Sequence, residues 1–343
     1  MSRPFLTPVV ANMLLLLMFW AAPVWAGTPD GEERAGRPPI EKALVMALAS
    51  APTTLDSRFA TGASASRIAD LLSRPLVELD TSFQPQPAAA KKFTWVNDTT
   101  LEFTLEKMAF VDGQPLTAKA VKRFYENMKN PDTVSPYKGQ LKPIKRIKVL
   151  GKRKIRFLFD APTPFVWPLF SHPIMRPDAS LGGADSATRP IGLGPYHVKE
   201  GSSLEDLTLE KAPIWHGKEP ASPRLRFKTV QDPLVRLLKV QEGEAHLLQN
   251  DMPSVFYHHA QKQDTLKTMS APSTNYTYLG FNLADGVTEK LALREAIAHA
   301  LNRQKIMDTL LFGLASPAKS ILPQSHKAFW PAPLRPHNPQ KAI

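Results

Sequence analysis

The stretch from Thr99 to Met128 constrains this chain more than any other. Leu101, Phe103 and Leu105 alternate with polar residues, which gives a strand with one apolar face and one wet face. Asp112-Gly113 supplies a tight turn, because glycine takes positive φ at little steric cost. Thr117 then stands where an N-cap belongs. Ala120, Val121, Phe124, Tyr125 and Met128 recur at steps of one and three, a single apolar stripe along a helix. Strand, turn and capped amphipathic helix together make an α/β packing unit, and that reading needs nothing beyond local physics.

The front of the chain reads as an export signal over residues 1–26. Arg3 gives a short positive region, Met13 to Trp20 an apolar core, and Val24-Trp25-Ala26 a small-x-small cleavage site. The alternative is a membrane anchor, but this apolar run, broken by Pro23, is shorter than the ~20 residues a spanning helix needs. Cleavage leaves 317 of the 343 residues, enough for two lobes with their own cores, and lowers the net charge from +12 to +11. Residues 27–39 are rich in Gly, Pro and charge and are expected to be disordered. The chain has no cysteine, which excludes a disulfide framework, a thiol nucleophile, a cysteine metal site and a lipid-modified cysteine after the signal. A protein free in the periplasm is the expectation.

The basic excess raises the question of nucleic acid. Its densest part runs from Lys138 to Lys154. There Ile144, Ile147 and Val149, then Ile155, Phe157 and Phe159, alternate with basic residues, as in two strands with charged solvent faces. An exported protein also rarely meets nucleic acid, so none is expected as a partner. A solvated basic face is the default, and an anionic membrane surface or acidic ligand is the lesser alternative.

Other segments, taken in order, carry a resemblance. The run from Leu101 to Pro131 resembles a segment of the family 5 extracellular solute-binding proteins, the peptide-, dipeptide- and nickel-binding components of ABC importers. Asp112-Gly113, Pro115-Leu116-Thr117-Ala118 and Val121 match that pattern, whereas Val111 replaces the usual His and Lys119-Ala120 the usual acidic pair. Leu55-Asp56 and Leu76-Val77-Glu78-Leu79-Asp80 are similar to the family's opening, with Ser57 where Pro usually stands. Ile191 to Val198, with Gly192, Gly194 and Pro195, resembles the segment where the chain returns to the first lobe. Its glycines allow close backbone approach. Asp232-Pro233 through Gly243 resembles a further helix motif, and His246 replaces an Asp after it. Tyr276 to Leu283 reads as a strand, and Leu293, Ile297, Ala300 and Leu301 stripe the helix after it.

The resemblance implies an α/β, two-lobed, periplasmic-binding-protein-like (type II) architecture. Residues 40–84 and 190–272 would form lobe I, residues 85–189 a small subdomain of it, and residues 273–343 the start of lobe II. Asn338-Pro339 opens a helix that does not continue, where family members run on. A C-terminally incomplete molecule, binding solute poorly on its own, is therefore expected. The loop after the first strand would face the cleft, which makes Phe59, Thr61 and Ser64 candidate ligand contacts. Phe165 and Trp167, in a proline-stiffened loop, and Tyr276 and Tyr278 complete the candidate set, while Trp95 reads as core.

The sequence offers no catalytic constellation. There is no H-E-x-x-H and no G-x-S-x-G, and the adjacent His258 and His259 would diverge on a helix. Neither a metal nor a cofactor is expected. The function implied is a monomeric, non-enzymatic periplasmic protein that captures a peptide or small solute by hinge closure for an inner-membrane ABC permease. A periplasmic interaction module, or a degenerate fragment of such a protein, is the alternative.

Overall fold

Two strands far apart in sequence pair in parallel at one end of a four-stranded sheet in the computed structural model, which describes residues 43–176, 187–250 and 252–343. The expected signal over 1–26 and the disordered stretch over 27–39 lie outside these residues. The apolar run after Lys42 forms β1 (Leu44–Leu48). A loop leads to α1 (Ala63–Leu72), which buries Ala65, Ile68, Ala69 and Leu72. Gly62 is its N-cap, with extended backbone, and Ser64 lies inside the first turn. A small ribbon of β2 (Val77–Leu79) and β3 (Pro85–Pro87) follows.

The pivotal stretch folds as its pattern predicts. β4 (Ala90–Asn97) pairs antiparallel with β5 (Thr100–Leu105), on which Leu101, Phe103 and Leu105 are fully buried. Gly113 makes the turn at φ +86°, and the Asp112 carboxylate accepts from Gln114 N at 3.1 Å. The Thr117 hydroxyl accepts from Ala120 N at 3.1 Å and caps α2 (Ala118–Lys129). That helix buries Val121, Phe124, Tyr125 and Met128 with Ala118, while Ala120 is half-buried. Each large side chain removed from water contributes roughly 1.5–3 kcal/mol, so packing rather than propensity holds α2 in place.

The two basic strands are β6 (Ile144–Gly151) and β7 (Lys154–Phe159), a hairpin that completes the antiparallel sheet β4-β5-β7-β6. On its outer face Glu102 bridges Lys154 and Arg156 across strands, and these two hydrogen bonds hold the Glu102 carboxyl below its usual range. The short helix α3 (Trp167–Phe170) seats Phe170 against Phe103, Phe157 and Tyr125.

The chain then supplies β8 (Tyr196–Val198), β9 (Asp206–Lys211) and β10 (Arg224–Thr229), and the first sheet is ordered β1-β10-β9-β8. β1 runs parallel to β10, and the rest of that sheet is antiparallel. Gly194 lies against the end of α1, where its N–H donates to Leu72 O at 2.9 Å. A Cβ there would stand 2.4 Å from Leu71 O. One continuous apolar core runs beneath both four-stranded sheets.

Four more helices follow: α4 (Pro233–Gln241), α5 (Ser254–Ala260), α6 (Leu291–Ala300) and α7 (Arg303–Thr309). Asp232 caps α4 by accepting from Val235 N at 2.9 Å. The expectation of a strand over Tyr276–Leu283 is corrected, because no strand forms there. A strand is held by a neighbour's backbone, and no ladder is offered to this segment among the described residues. After Ala260, Met307 is the one apolar residue that becomes buried among the described residues. Asn338 accepts from Lys341 N and starts a single 3-10 turn over Pro339–Lys341.

Candidate functional site

β1 has a parallel neighbour on each side. β10 pairs with it along one edge. On the other edge the backbone after Glu244 runs parallel, with Ala47 N donating to Leu247 O at 3.2 Å and His246 N to Val45 O at 2.8 Å. His246 stands where the motif has an acid, and its Nδ1 accepts from Val45 N at 2.9 Å, so the residue helps fasten this segment to β1. The carboxyl ends of these strands lie at one edge, the position where open α/β sheets present ligand crevices. The loop from Ala49 to Gly62 leaves from this edge and enters α1, and the Arg67 guanidinium reaches back to Gln249 O at 3.2 Å.

That loop is held from beneath by buried polar groups. Arg58 and Asp56 are 2% and 1% exposed. The Arg58 guanidinium donates to both carboxylate oxygens of Asp56, at 2.9 Å from Nε and 2.5 Å from Nη2, and to Asn127 Oδ1 on α2 at 2.6 Å. Arg58 N also donates to Asp56 Oδ1 at 3.0 Å. Ser135 Oγ donates to Arg58 O at 2.7 Å, and Ser57 Oγ to Pro173 O at 2.6 Å. The Tyr137 hydroxyl donates to Ala60 O, and burial holds its pKa above the usual tyrosine value. His172 packs on the Tyr137 ring at 4.3 Å between centroids, and burial pushes its imidazole down to about 4.

The loop is thus preorganised, and what it turns outward is limited to a few groups. Phe59 is half-buried, with its ring 5.5 Å from the Arg58 guanidinium carbon. Thr61 is exposed and Ser64 half-buried, both at the start of α1. Gly62 provides no side-chain cap and the first turn has no acidic residue, so this helix end keeps its partial positive charge. Phe59, Thr61 and Ser64 therefore share one junction.

The other four candidates lie elsewhere. Trp167 packs down on Phe93, with centroids 4.8 Å apart, and meets Trp95 edge-on at 6.4 Å. Phe165 is 69% exposed. Trp95, expected in the core, sits at its rim and is 36% exposed. The rings of Tyr276 and Tyr278 pack on each other at 5.5 Å and are otherwise open to solvent. Among the described residues, no hydrogen bond or ring contact joins these groups to the α1 junction. The Asp56–Arg58–Asn127 network had no signal in the sequence, since its members stand 2 and 69 residues apart. Among the described residues no group of His, Asp or Glu is placed to hold a metal ion, and His258 stacks on Phe312.

Comparison with known proteins decides the lineage. Residues 84–343 match the family model described as bacterial extracellular solute-binding proteins, family 5 Middle. The chain belongs to this family. The glutathione-binding protein GsiB of Salmonella typhi is 26% identical over 311 residues, covering 88% of this chain and 60% of that protein. Among solved structures, NikZ from Campylobacter jejuni in complex with Ni(L-His) is similar, with a TM-score of 0.78 at 19% identity, covering 88% of this chain and 62% of that one. The oligopeptide-binding protein AppA of Bacillus subtilis, in complex with a nonapeptide, gives a TM-score of 0.76 at 21% identity, with the same coverage. The fold is the mixed α/β fold of the two-lobed periplasmic binding proteins, and the chain spans about 60% of the length of these relatives.

Proposed function

We propose that this protein is the solute-capturing component of an ABC importer and that the loop–helix junction at Phe59, Thr61 and Ser64 forms one wall of its cleft. The reading rests on family membership together with a rigid loop at the carboxyl edge of β1 that presents an aromatic ring, a hydroxyl and a side-chain-free helix start. Such a wall suits a small solute bearing a carboxylate, which α1's first N–H groups would receive. Of the similar proteins, one is named for glutathione and two were solved in complex with a nonapeptide and with Ni(L-His), ligands that all carry carboxylates.

In this reading residues 40–84 and 190–272 form one lobe, 85–189 its small subdomain and 273–343 the start of the second. The pairing of β1 with β10 supports the division. Tyr276 and Tyr278, in the start of the second lobe, are kept as contacts of the opposite side of the solute, and Phe165 as a contact from the small subdomain, whereas Trp167 packs down on Phe93 and Trp95. Closure about the hinge is driven only by contacts the solute gains in the closed form. Micromolar capture needs roughly 8 kcal/mol, within reach of several main-chain hydrogen bonds plus burial. The protein works as a monomer in the periplasm, without a lipid anchor or a reaction of its own, and hands solute to an inner-membrane permease.

Saturation-transfer NMR on the purified chain tests this with glutathione, tripeptides, longer peptides and nickel–histidine. Transfer to one class, lost when the solute carboxylate is amidated, is the expected result. Transfer to none of them, or transfer indifferent to amidation, refutes the reading.

A further inference from the structure

The chain's positive charge is concentrated in one short segment. From Lys119 to Arg156 it carries thirteen Lys and Arg against two acidic residues, Glu126 and Asp132. That is +11 of the chain's +12, so the other 305 residues together carry only +1. The fold brings cations of α2 and of the β6–β7 hairpin together along the β6 edge of the sheet. Ala118 N donates to Lys152 O at 2.9 Å and Leu105 N to Arg153 O at 2.8 Å, which ties the β6–β7 hairpin tip to the start of α2 and to the end of β5. Farther along, Lys122 and Lys129 of α2 face Lys145 and Arg146 of β6 across an open groove of about 300 Å³. Little of this charge is neutralised. Lys122 meets Glu126 at 3.5 Å, and Lys154 and Arg156 share Glu102. Among the described residues, Lys142, Lys145, Arg146, Lys148, Lys152 and Arg153 form no ion pair.

We propose that this face, α2 with the β6–β7 hairpin, docks on the surface of an anionic phospholipid bilayer. An unpartnered edge strand such as β6 needs a charge or two to avoid pairing with another chain, and six unneutralised cations exceed that need. Nine of the thirteen cations are lysines, hydrated point charges on flexible stems that suit a diffuse layer of lipid phosphates. Leu150 is exposed beside the cationic tip, placed to enter the headgroup layer. Base-stacking aromatics are lacking, since Phe124, Tyr125 and Phe157 are buried, which disfavours single-stranded nucleic acid. The inference stands apart from the solute reading and does not depend on it.

Vesicle flotation with the full chain is the test, comparing phosphatidylcholine vesicles with ones containing roughly one third phosphatidylglycerol, at low and physiological salt. The apolar stretch Met13 to Trp20 is common to all variants and cancels in the comparison. Binding is expected only with the anionic lipid and to weaken as salt rises. The triple change Lys145→Glu, Arg146→Glu and Lys148→Glu is expected to weaken it at least about tenfold. The milder pair Lys152→Gln and Arg153→Gln should weaken it less, guarding against misfolding of the triple variant. Lys262→Glu, Lys267→Glu and Lys319→Glu, the same charge change on other exposed positions, should leave most of the binding. Equal binding to neutral vesicles, equal loss in both triple variants, or capture of polyglutamate or DNA without capture of vesicles would overturn the proposal.

Discussion

Replacing Asp56 by Ala removes the carboxylate that takes three hydrogen bonds from the buried Arg58 guanidinium and one from Arg58 N. Asn127 Oδ1 then remains as the side-chain partner of a cation that is 2% exposed. Removing one member of a buried ion pair costs about 3–5 kcal/mol, chiefly because the survivor is left without compensation. Arg58→Met leaves the Asp56 carboxylate in the same position and should cost a similar amount. The double variant Asp56→Ala, Arg58→Met removes both charges and fills the space with an apolar side chain, so its deficit should be about 2–3 kcal/mol, from lost loop hydrogen bonds. The single changes should therefore be strongly non-additive, with a coupling above about 2 kcal/mol. Urea unfolding followed by tryptophan fluorescence gives all four corners of the cycle. Single changes below about 1 kcal/mol, or an additive double variant, would show that this pair does not hold the loop.

Gly194→Ala should destabilise by more than about 2 kcal/mol, because its Cβ would meet backbone at 2.4 Å, and thermal unfolding would read the loss. Thr117→Ala should cost about 1 kcal/mol through the lost cap of α2, while Thr117→Ser restores most of it in urea. His172 is held down to about 4, so its native state resists protonation. Its contribution is full above the unfolded value near 6.5, falls as pH drops from there to about 4, and levels off below, a loss of up to about 3 kcal/mol. His172→Gln should flatten that part of a stability-against-pH curve.

The elements that could be read from sequence were those decided within a few residues. Thr117 and Asp232 cap the helices that follow them, Asp112-Gly113 makes its turn, and the alternation around Ile147 and Phe157 predicts a hairpin with its charges outward. What escaped depends on partners distant in the chain. Tyr276 to Leu283 has a strand's composition but no neighbouring backbone to pair with among the described residues. Trp95 has a core residue's chemistry but lies on β4, at the edge of its sheet, where Trp167 covers only part of its ring. In the candidate site, Phe59, Thr61 and Ser64 are proposed through resemblance to a family opening, and the sequence places them together around the start of α1. The groups that position them were not legible, since Asn127, Ser135, Tyr137 and Pro173 reach the loop only through the fold.

In the proposed reading, the edge beyond β1 is a wall for a captured solute. Amide chemical-shift mapping during titration with glutathione or a tripeptide tests it most directly. Shifts confined to Phe59, Thr61, Ala63 and Ser64, saturating with a dissociation constant on the order of 1 mM for a single wall, are expected. Saturable shifts clustered elsewhere on the chain, with that junction silent, would contradict it.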